Sequence, residues 1–171
     1  MITSHRLEIK PWTLDLAEDF FQLAQDPGFT LFPINNYRQA SVATARGWLE
    51  LTIAQNKLTG MGKWAVWEKN TGELLGMGGL TPWKLDEEEL VDITYRLRES
   101  SWGRGYGIEL AQALVDYGFG VLGLNQITAT ITPENEASKK VAAKLGLKYD
   151  QKIVLLGVPT EVYRLQRSAK P

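Results

Sequence analysis

Apolar and polar residues alternate along Arg6–Lys10, Lys63–Lys69 and Leu90–Arg98, the two-residue period of a strand, and Leu74–Trp83 continues the meander as a further strand. Between them, Leu14–Gln25 places Leu16, Ala17, Phe20, Phe21, Leu23 and Ala24 at helical spacing, and Asp26-Pro27-Gly28 stops it. The aromatic stretch Phe29–Arg38, which contains Pro33, reads as a loop. Ser41 is a candidate N-cap for a helix to about Asn56, with Ala45, Trp48, Leu49 and Ile53 on one face. Asn70-Thr71-Gly72 turns the meander, and Leu85–Glu89 reads as an acidic loop. Ile108–Leu122 is helical, with Gly123 its expected C-cap. Gln126–Ile131 is a strand of β-branched residues. A helix starts at Pro133-Glu134-Asn135 and runs to Leu145, and strands follow near Lys148–Leu156 and Glu161–Arg167. That order predicts a mixed sheet covered by helices, of α/β (α+β) class, in a single domain over residues 1–171.

The strand Leu90–Arg98 puts Val91, Ile93, Tyr95 and Leu97 on one face and Asp92, Thr94, Arg96 and Arg98 on the other. The turn Trp102-Gly103-Arg104-Gly105-Tyr106-Gly107 follows it and opens a helix. Glycines between a strand and a helix N-terminus expose converging N–H groups, and the helix dipole adds about half a positive charge there. That is a cradle for a pyrophosphate. A Walker loop needs Gly-Lys-Ser/Thr where Tyr106-Gly107-Ile108 stands, and a dinucleotide fingerprint needs a third glycine where Ile108 sits.

Composition narrows the chemistry. The fractions, 44% apolar and 23% charged, are those of a globular protein, and a net charge of −1 gives no bulk attraction to nucleic acid or anionic membrane. The absence of cysteine excludes disulfides, thiolate metal sites and a cysteine nucleophile. One histidine, His5, cannot build a histidine metal site and reads as a surface strand residue; no metal is expected. The polar start and the lack of a long apolar run make a cytoplasmic location the default expectation. Six tryptophans read mainly as packing residues, with Trp64 or Trp83 as candidates to line an acceptor pocket.

Leu97-Arg98-x-x-x-Trp102-Gly103-Arg104-Gly105-Tyr106-Gly107 resembles the acyl-CoA pyrophosphate loop of the GNAT superfamily of N-acetyltransferases. Asn135-x-x-Ser138-x-x-Val141-Ala142-x-Lys144-Leu145-Gly146-Leu147 and the start Arg6-Leu7-x-Ile9-x-Pro11-Trp12 are similar to its RimJ/RimL branch. Trp102 replaces the commoner basic residue, Gly107 a common alanine and Leu147 a usual aromatic. The resemblance implies the GNAT (acyl-CoA N-acyltransferase) fold: a mostly antiparallel sheet of about seven strands, flanked by about four helices and splayed between strands 4 and 5. It also implies acetyl-CoA as cosubstrate, on the main chain of Leu97 and Arg98 and on Gly103, Arg104, Gly105, Tyr106, Gly107, Ile108 and Asn135. Ser138 becomes the candidate acid for the leaving thiolate and Asp92 the candidate base. The acceptor is then a primary amine, of a protein N-terminus or a small molecule. A homodimer is allowed, and a non-catalytic acyl-CoA-binding regulatory module is the rival reading. The run Asp86-Glu87-Glu88-Glu89 reads as a solvated turn, or as a lure for a cationic amine.

Overall fold

Turn chemistry sets most element boundaries. The structure is a computed structural model that describes residues 1–32 and 37–167. Strands β1 (Ile2–Thr3) and β2 (Leu7–Lys10) form a short hairpin, with Leu7 and Ile9 buried. A 3₁₀ turn, Leu14–Leu16, leads into α1 (Ala17–Leu23). Asp26-Pro27-Gly28 ends that helix and also starts another, α2 (Pro27–Thr30), with proline in its first turn, where the missing N–H costs nothing. The expected loop over 29–38 therefore begins as helix, and its Pro33 lies outside the described residues. Helix α3 (Val42–Thr59) starts on a capping box between Ser41 and Thr44 and runs past Asn56 to a left-handed Gly60.

Strands β3 (Gly62–Glu68), β4 (Leu74–Leu85) and β5 (Glu88–Leu97) make the meander. The acidic loop shrinks to a tight turn at Asp86-Glu87, and Glu88 and Glu89 belong to β5. Helix α4 (Tyr106–Gly120) begins and ends two residues earlier than its apolar period suggests, because left-handed Gly105 is its N-cap; Val121, not Gly123, is its C-cap. Strand β6 (Gln126–Ile131), helix α5 (Glu136–Lys144) and the hairpin β7 (Lys148–Leu155) and β8 (Val158–Gln166) complete the order.

Among the described residues the sheet runs β1-β2-β3-β4-β5-β6-β8-β7, eight strands against about seven expected, with five helices against about four; β1 and α2 are too short to leave a periodic signal. Every neighbour pair is antiparallel except β5–β6. The β4–β5 ladder is continuous from Gly76↔Leu97 to Leu85↔Glu88, whereas β5 and β6 meet only at Asp92↔Thr128 and then splay apart.

Two cores sandwich the sheet. Leu110 and Leu114 of α4 pack on Trp64, Val66, Leu80, Ile93 and Ile127. Phe20, Phe29 and Leu49, from the N-terminal helices, pack with Trp12, Ala65 and Met77 on the other face. The polar face of β5 is therefore covered too, and Asp92 is only 8% exposed. No helix among the described residues is long and apolar enough to cross a membrane.

Candidate active site

The loop between β5 and α4 is shaped by Gly103 and Gly105, at φ 70° and 81°, values that side-chain-bearing residues resist. Gly105 caps α4 without a side-chain bond, and the N–H groups of Tyr106, Gly107 and Ile108 lie in the first turn, which has no intrahelical acceptors. Gly107 is inside the helix at negative φ, and a Cβ there would touch only Tyr95, at 3.8 Å. A larger side chain would enter the groove beside it. That groove, about 580 Å³, runs between this loop and α5. Leu97, Gly103, Gly105, Tyr106, Gly107, Ile108, Asn135 and Ser138 all line it, with Lys140 and Lys144 on the α5 wall.

Arg98 and Arg104 do not line it. The Arg98 N–H is committed to Leu75 O at 2.8 Å in the β4 ladder, and the Leu97 carbonyl already accepts from the Trp102 indole at 3.0 Å. Trp102 thus fastens the loop to the end of β5. Exposed Arg104 lies 5.0 Å from the Tyr106 ring.

A second fastener escaped the sequence reading. Glu109, one turn into α4, accepts from Ser4 Oγ (2.7 Å), Arg6 N (2.6 Å) and Arg6 Nε (2.7 Å). Burial raises the Glu109 pKa, but these bonds and the Arg6 charge outweigh it, so the carboxyl sits below its ordinary range. Arg6 also donates to Arg104 O at 3.0 Å and stacks 4.3 Å from the Tyr106 ring. The N-terminal hairpin therefore buckles the glycine loop in place, across about a hundred residues of chain. The packing of α4 against the β1–β2 hairpin brings these groups together.

Asn135 is the N-cap of α5; its Oδ1 accepts from Ser138 N at 3.0 Å. Ser138 stands beside the Tyr95 phenol. Burial pushes that phenol's pKa up, and the Ser138 hydroxyl draws it partly back. Tyr95 lies in the apolar stripe of β5, which is why it reads from sequence as a core residue.

A smaller chamber occupies the gap itself, lined by Asp92, Thr94 and Arg96 of β5, Thr130 and Thr132 at the end of β6, and Ser138. Tyr95, Arg96, Asn135 and Ser138 line both spaces, so groove and chamber meet there. Asp92 Oδ1 accepts from Thr128 Oγ1 and Oδ2 from Thr130 Oγ1, each at 2.8 Å. Trp83 Nε1 donates to Thr128 Oγ1 at 3.0 Å. Full burial drives the Asp92 pKa up to about 6; the two threonine bonds and the Lys63 charge hold it from going further. Of the two tryptophans, Trp83 stands beside this cluster, while Trp64 packs into the α4-side core against Tyr117.

None of Asp86–Glu89 lines either space. Glu88 forms a two-point pair with Arg164, at 2.7 and 2.9 Å, and Glu89 lies 3.8 Å from Lys84. Among the described residues, no cluster of histidine, cysteine or carboxylates could hold a metal ion.

The match to known proteins agrees with this geometry. Residues 6–148 match a family model described as an acetyltransferase (GNAT) domain. The chain is 35% identical to the uncharacterized protein YkkB of Bacillus subtilis over 69% of each chain. It is 31% identical to the uncharacterized N-acetyltransferase p20 of Bacillus licheniformis, over 85% of this chain and 80% of that one. Among solved structures, the ribosomal-protein acetyltransferase RimL, in complex with coenzyme A, superimposes with a TM-score of 0.82. That alignment covers 98% of this chain and 97% of RimL at 18% identity, a likeness of fold. The orphan N–H groups, the open position at Gly107 and the lysines of α5 fit an acyl-CoA pyrophosphate.

Proposed function

The chain belongs to the GNAT acetyltransferase family, and we propose that residues 1–171 form one N-acetyltransferase domain of the RimJ/RimL-like branch. In this reading it moves an acetyl group from acetyl-CoA to a primary amine, by direct attack in a ternary complex. The observation that carries the proposal is the single β5–β6 bridge: it opens one gap that has the glycine cradle on one side and a buried carboxylate on the other.

Bound in the groove, acetyl-CoA supplies an acetyl thioester. Gly103 and Gly105 to Ile108 hold the pyrophosphate by main-chain N–H groups, and Leu97 and Asn135 border the pantetheine path. Ser138 Oγ, at the junction of groove and chamber, holds a proton for the departing sulfur, with the Tyr95 phenol as its neighbour. Asp92 Oδ2, basic enough at about 6 and ionised at neutral pH, removes the amine proton through water. Thr128 and Thr130 keep the carboxylate aimed by spending their hydroxyl protons on it.

The test is free-thiol release from acetyl-CoA with a panel of amines. Some amine should give turnover, and Ser138→Ala should slow it roughly 10²-fold while acetyl-CoA affinity stays the same. Tight acetyl-CoA binding with no turnover on any amine would make the chain a non-catalytic acyl-CoA-binding module instead. Full activity in Ser138→Ala would return Ser138 to a polar residue of the first helical turn.

A further inference from the structure

We propose that the site takes acyl groups longer than acetyl, with propionyl and butyryl the best fits, and that an aliphatic pocket beneath α5 holds the chain. This rests on the acetyltransferase reading and names the acyl donors that the same site accepts.

The two-residue period of the strands divides the chamber in two. Asp92 and Thr94 of β5, with Thr130 of β6, face one side of the sheet. Ile93, Ala129 and Ile131 face the other and belong to the core under α4. All six line the chamber, because β5 and β6 meet only at Asp92↔Thr128 and the space passes through the gap between them. The polar half contains the carboxylate that receives the amine proton. The other half is aliphatic.

Helix α5 roofs the aliphatic half. Ser138, Val141, Ala142 and the C-cap residue Leu145 are spaced three and four apart, so they lie along one helix face. Ser138 and Val141 line the groove as well, whereas Ala142 and Leu145 line the chamber alone. The stripe therefore starts at the junction, where the sulfur leaves, and runs inward for about 10 Å, turning from polar to aliphatic. The space exists because Ala111, Ala129 and Ala142, all buried, put single methyl groups where the surrounding core has leucine, isoleucine and valine.

Volume sets the length of the chain. The chamber is about 60 Å³, and a water-sized group needs roughly 10–15 Å³ of such space. It takes about four or five groups, which leaves about two or three carbons beyond the carbonyl once the attacking nitrogen and the carbonyl oxygen are seated. Acetyl has one such carbon, propionyl two and butyryl three. An amine whose nitrogen lies near Asp92 reaches the thioester from the opposite face of the sheet, so the chain that enters the aliphatic half is the donor's. The chemistry does not change with the chain. The amine nitrogen bonds to the carbonyl carbon, and the carbon–sulfur bond breaks with its electron pair going to sulfur. Nitrogen loses one proton and sulfur gains one, giving an amide and coenzyme A thiol.

The experiment is calorimetry on the whole protein, without amine, using acetyl-, propionyl-, butyryl-, hexanoyl- and succinyl-CoA. Propionyl-CoA should bind about 4-fold more tightly than acetyl-CoA, the gain from burying one CH₂ group. Hexanoyl-CoA should bind less tightly than butyryl-CoA. Succinyl-CoA, of butyryl length but with a terminal carboxylate, should bind at least about 10-fold less tightly than butyryl-CoA, because the aliphatic half offers that charge no partner. Ala129→Val should erase the advantage of propionyl over acetyl, and Leu145→Ala should move the optimum to a longer chain. A loosened fold would weaken every donor alike; only a pocket shifts their order in opposite directions. Affinity that is flat or falling from acetyl to propionyl overturns the proposal, as does a propionyl advantage that survives in Ala129→Val. Succinyl binding equal to butyryl would put the chain in the polar half and overturns it too. If Ala129→Val loses its fold, Leu145→Ala decides the matter. Thiol release with amines is read separately. The expected donor order without turnover leaves the acyl pocket standing and overturns the transfer chemistry; turnover with a flat donor order does the reverse.

Discussion

The two sides of the β5–β6 gap are made of different materials. On the proposed cofactor side most of the groups available are main-chain N–H groups, aimed by left-handed Gly103 and Gly105 and by the first turn of α4, with Lys140 and Lys144 facing them. On the other side they are side chains: Asp92 of β5, Thr128 and Thr130 of β6 that bond it, and Trp83 of β4 behind Thr128. A main-chain cradle tolerates few residue types but is indifferent to the second substrate. A side-chain chamber can be rewritten one residue at a time. Within one fold, the cofactor can stay fixed while the acceptor changes.

The sharpest way to break this comparison is Gly107→Leu. The backbone there is ordinary helix and a Cβ meets only Tyr95, so the protein should fold. The added side chain projects into the groove and blocks the pyrophosphate. Acetyl-CoA affinity by calorimetry should fall on the order of 10²-fold or more, the loss of at least two charge-assisted bonds, with melting temperature nearly unchanged. Unaltered affinity in a folded variant would mean that the cradle lies elsewhere.

The same contrast explains how much was legible in the sequence. The glycine loop and the Asn135–Ser138 turn are contiguous stretches of chain, so the first could be read from its strand–glycine–helix context and the second from its resemblance to the family. The splay between the fourth and fifth expected strands came with that resemblance, and the single β5–β6 bridge agrees with it. Short elements without a period, β1 and α2, were not legible. Nor were the fasteners: Arg6 and Glu109 meet only because α4 packs on the N-terminal hairpin, and Trp102 bonds Leu97 O only because the loop folds back on the end of β5. Asp92 was legible as an acid on the polar face of a strand. That this face is buried, so that the carboxyl reaches a pKa of about 6, follows only from helices packing on both faces of a central strand.

Asp92→Asn sharpens the acceptor side. As a base, Asp92 must be ionised, so the wild-type rate should rise through about pH 6 and the variant should lack that limb. The ratio of the two rates should reach on the order of 10²-fold between pH 6 and the pKa of the acceptor amine. It should shrink above that pKa, where solvent removes the proton. Stability moves independently. The folded pKa lies above the ordinary 3.8, so the stability that protonated Asp92 lends is complete below 3.8 and is lost as pH rises through about 6. That loss is on the order of 3 kcal/mol. Wild-type melting temperature should therefore fall relative to the variant's between pH 4 and 7. A pH-independent rate ratio together with this stability signature would leave Asp92 as a clamp between β5 and β6 and not a base.

The smallest effect should come from Glu109→Gln, which tests whether the buckle serves only the cofactor side. The neutral amide keeps an acceptor oxygen for one of the bonds from Ser4 and Arg6 but weakens the charge-assisted pair with Arg6 Nε. Arg6 would then hold Arg104 O and the Tyr106 ring less firmly, and the glycine loop would sample more positions. The expected outcome is a rise of a few-fold in the acetyl-CoA KM, about 1 kcal/mol, with kcat and the acceptor KM unchanged. Because Arg6 and Glu109 act as one unit, adding Arg6→Ala to Glu109→Gln should cost much less than the sum of the two single changes. Steady-state kinetics with each substrate varied in turn reads all of this. A shift in the acceptor KM would show that the loop and the chamber are coupled, and the division between a main-chain cofactor side and a side-chain acceptor side would fail.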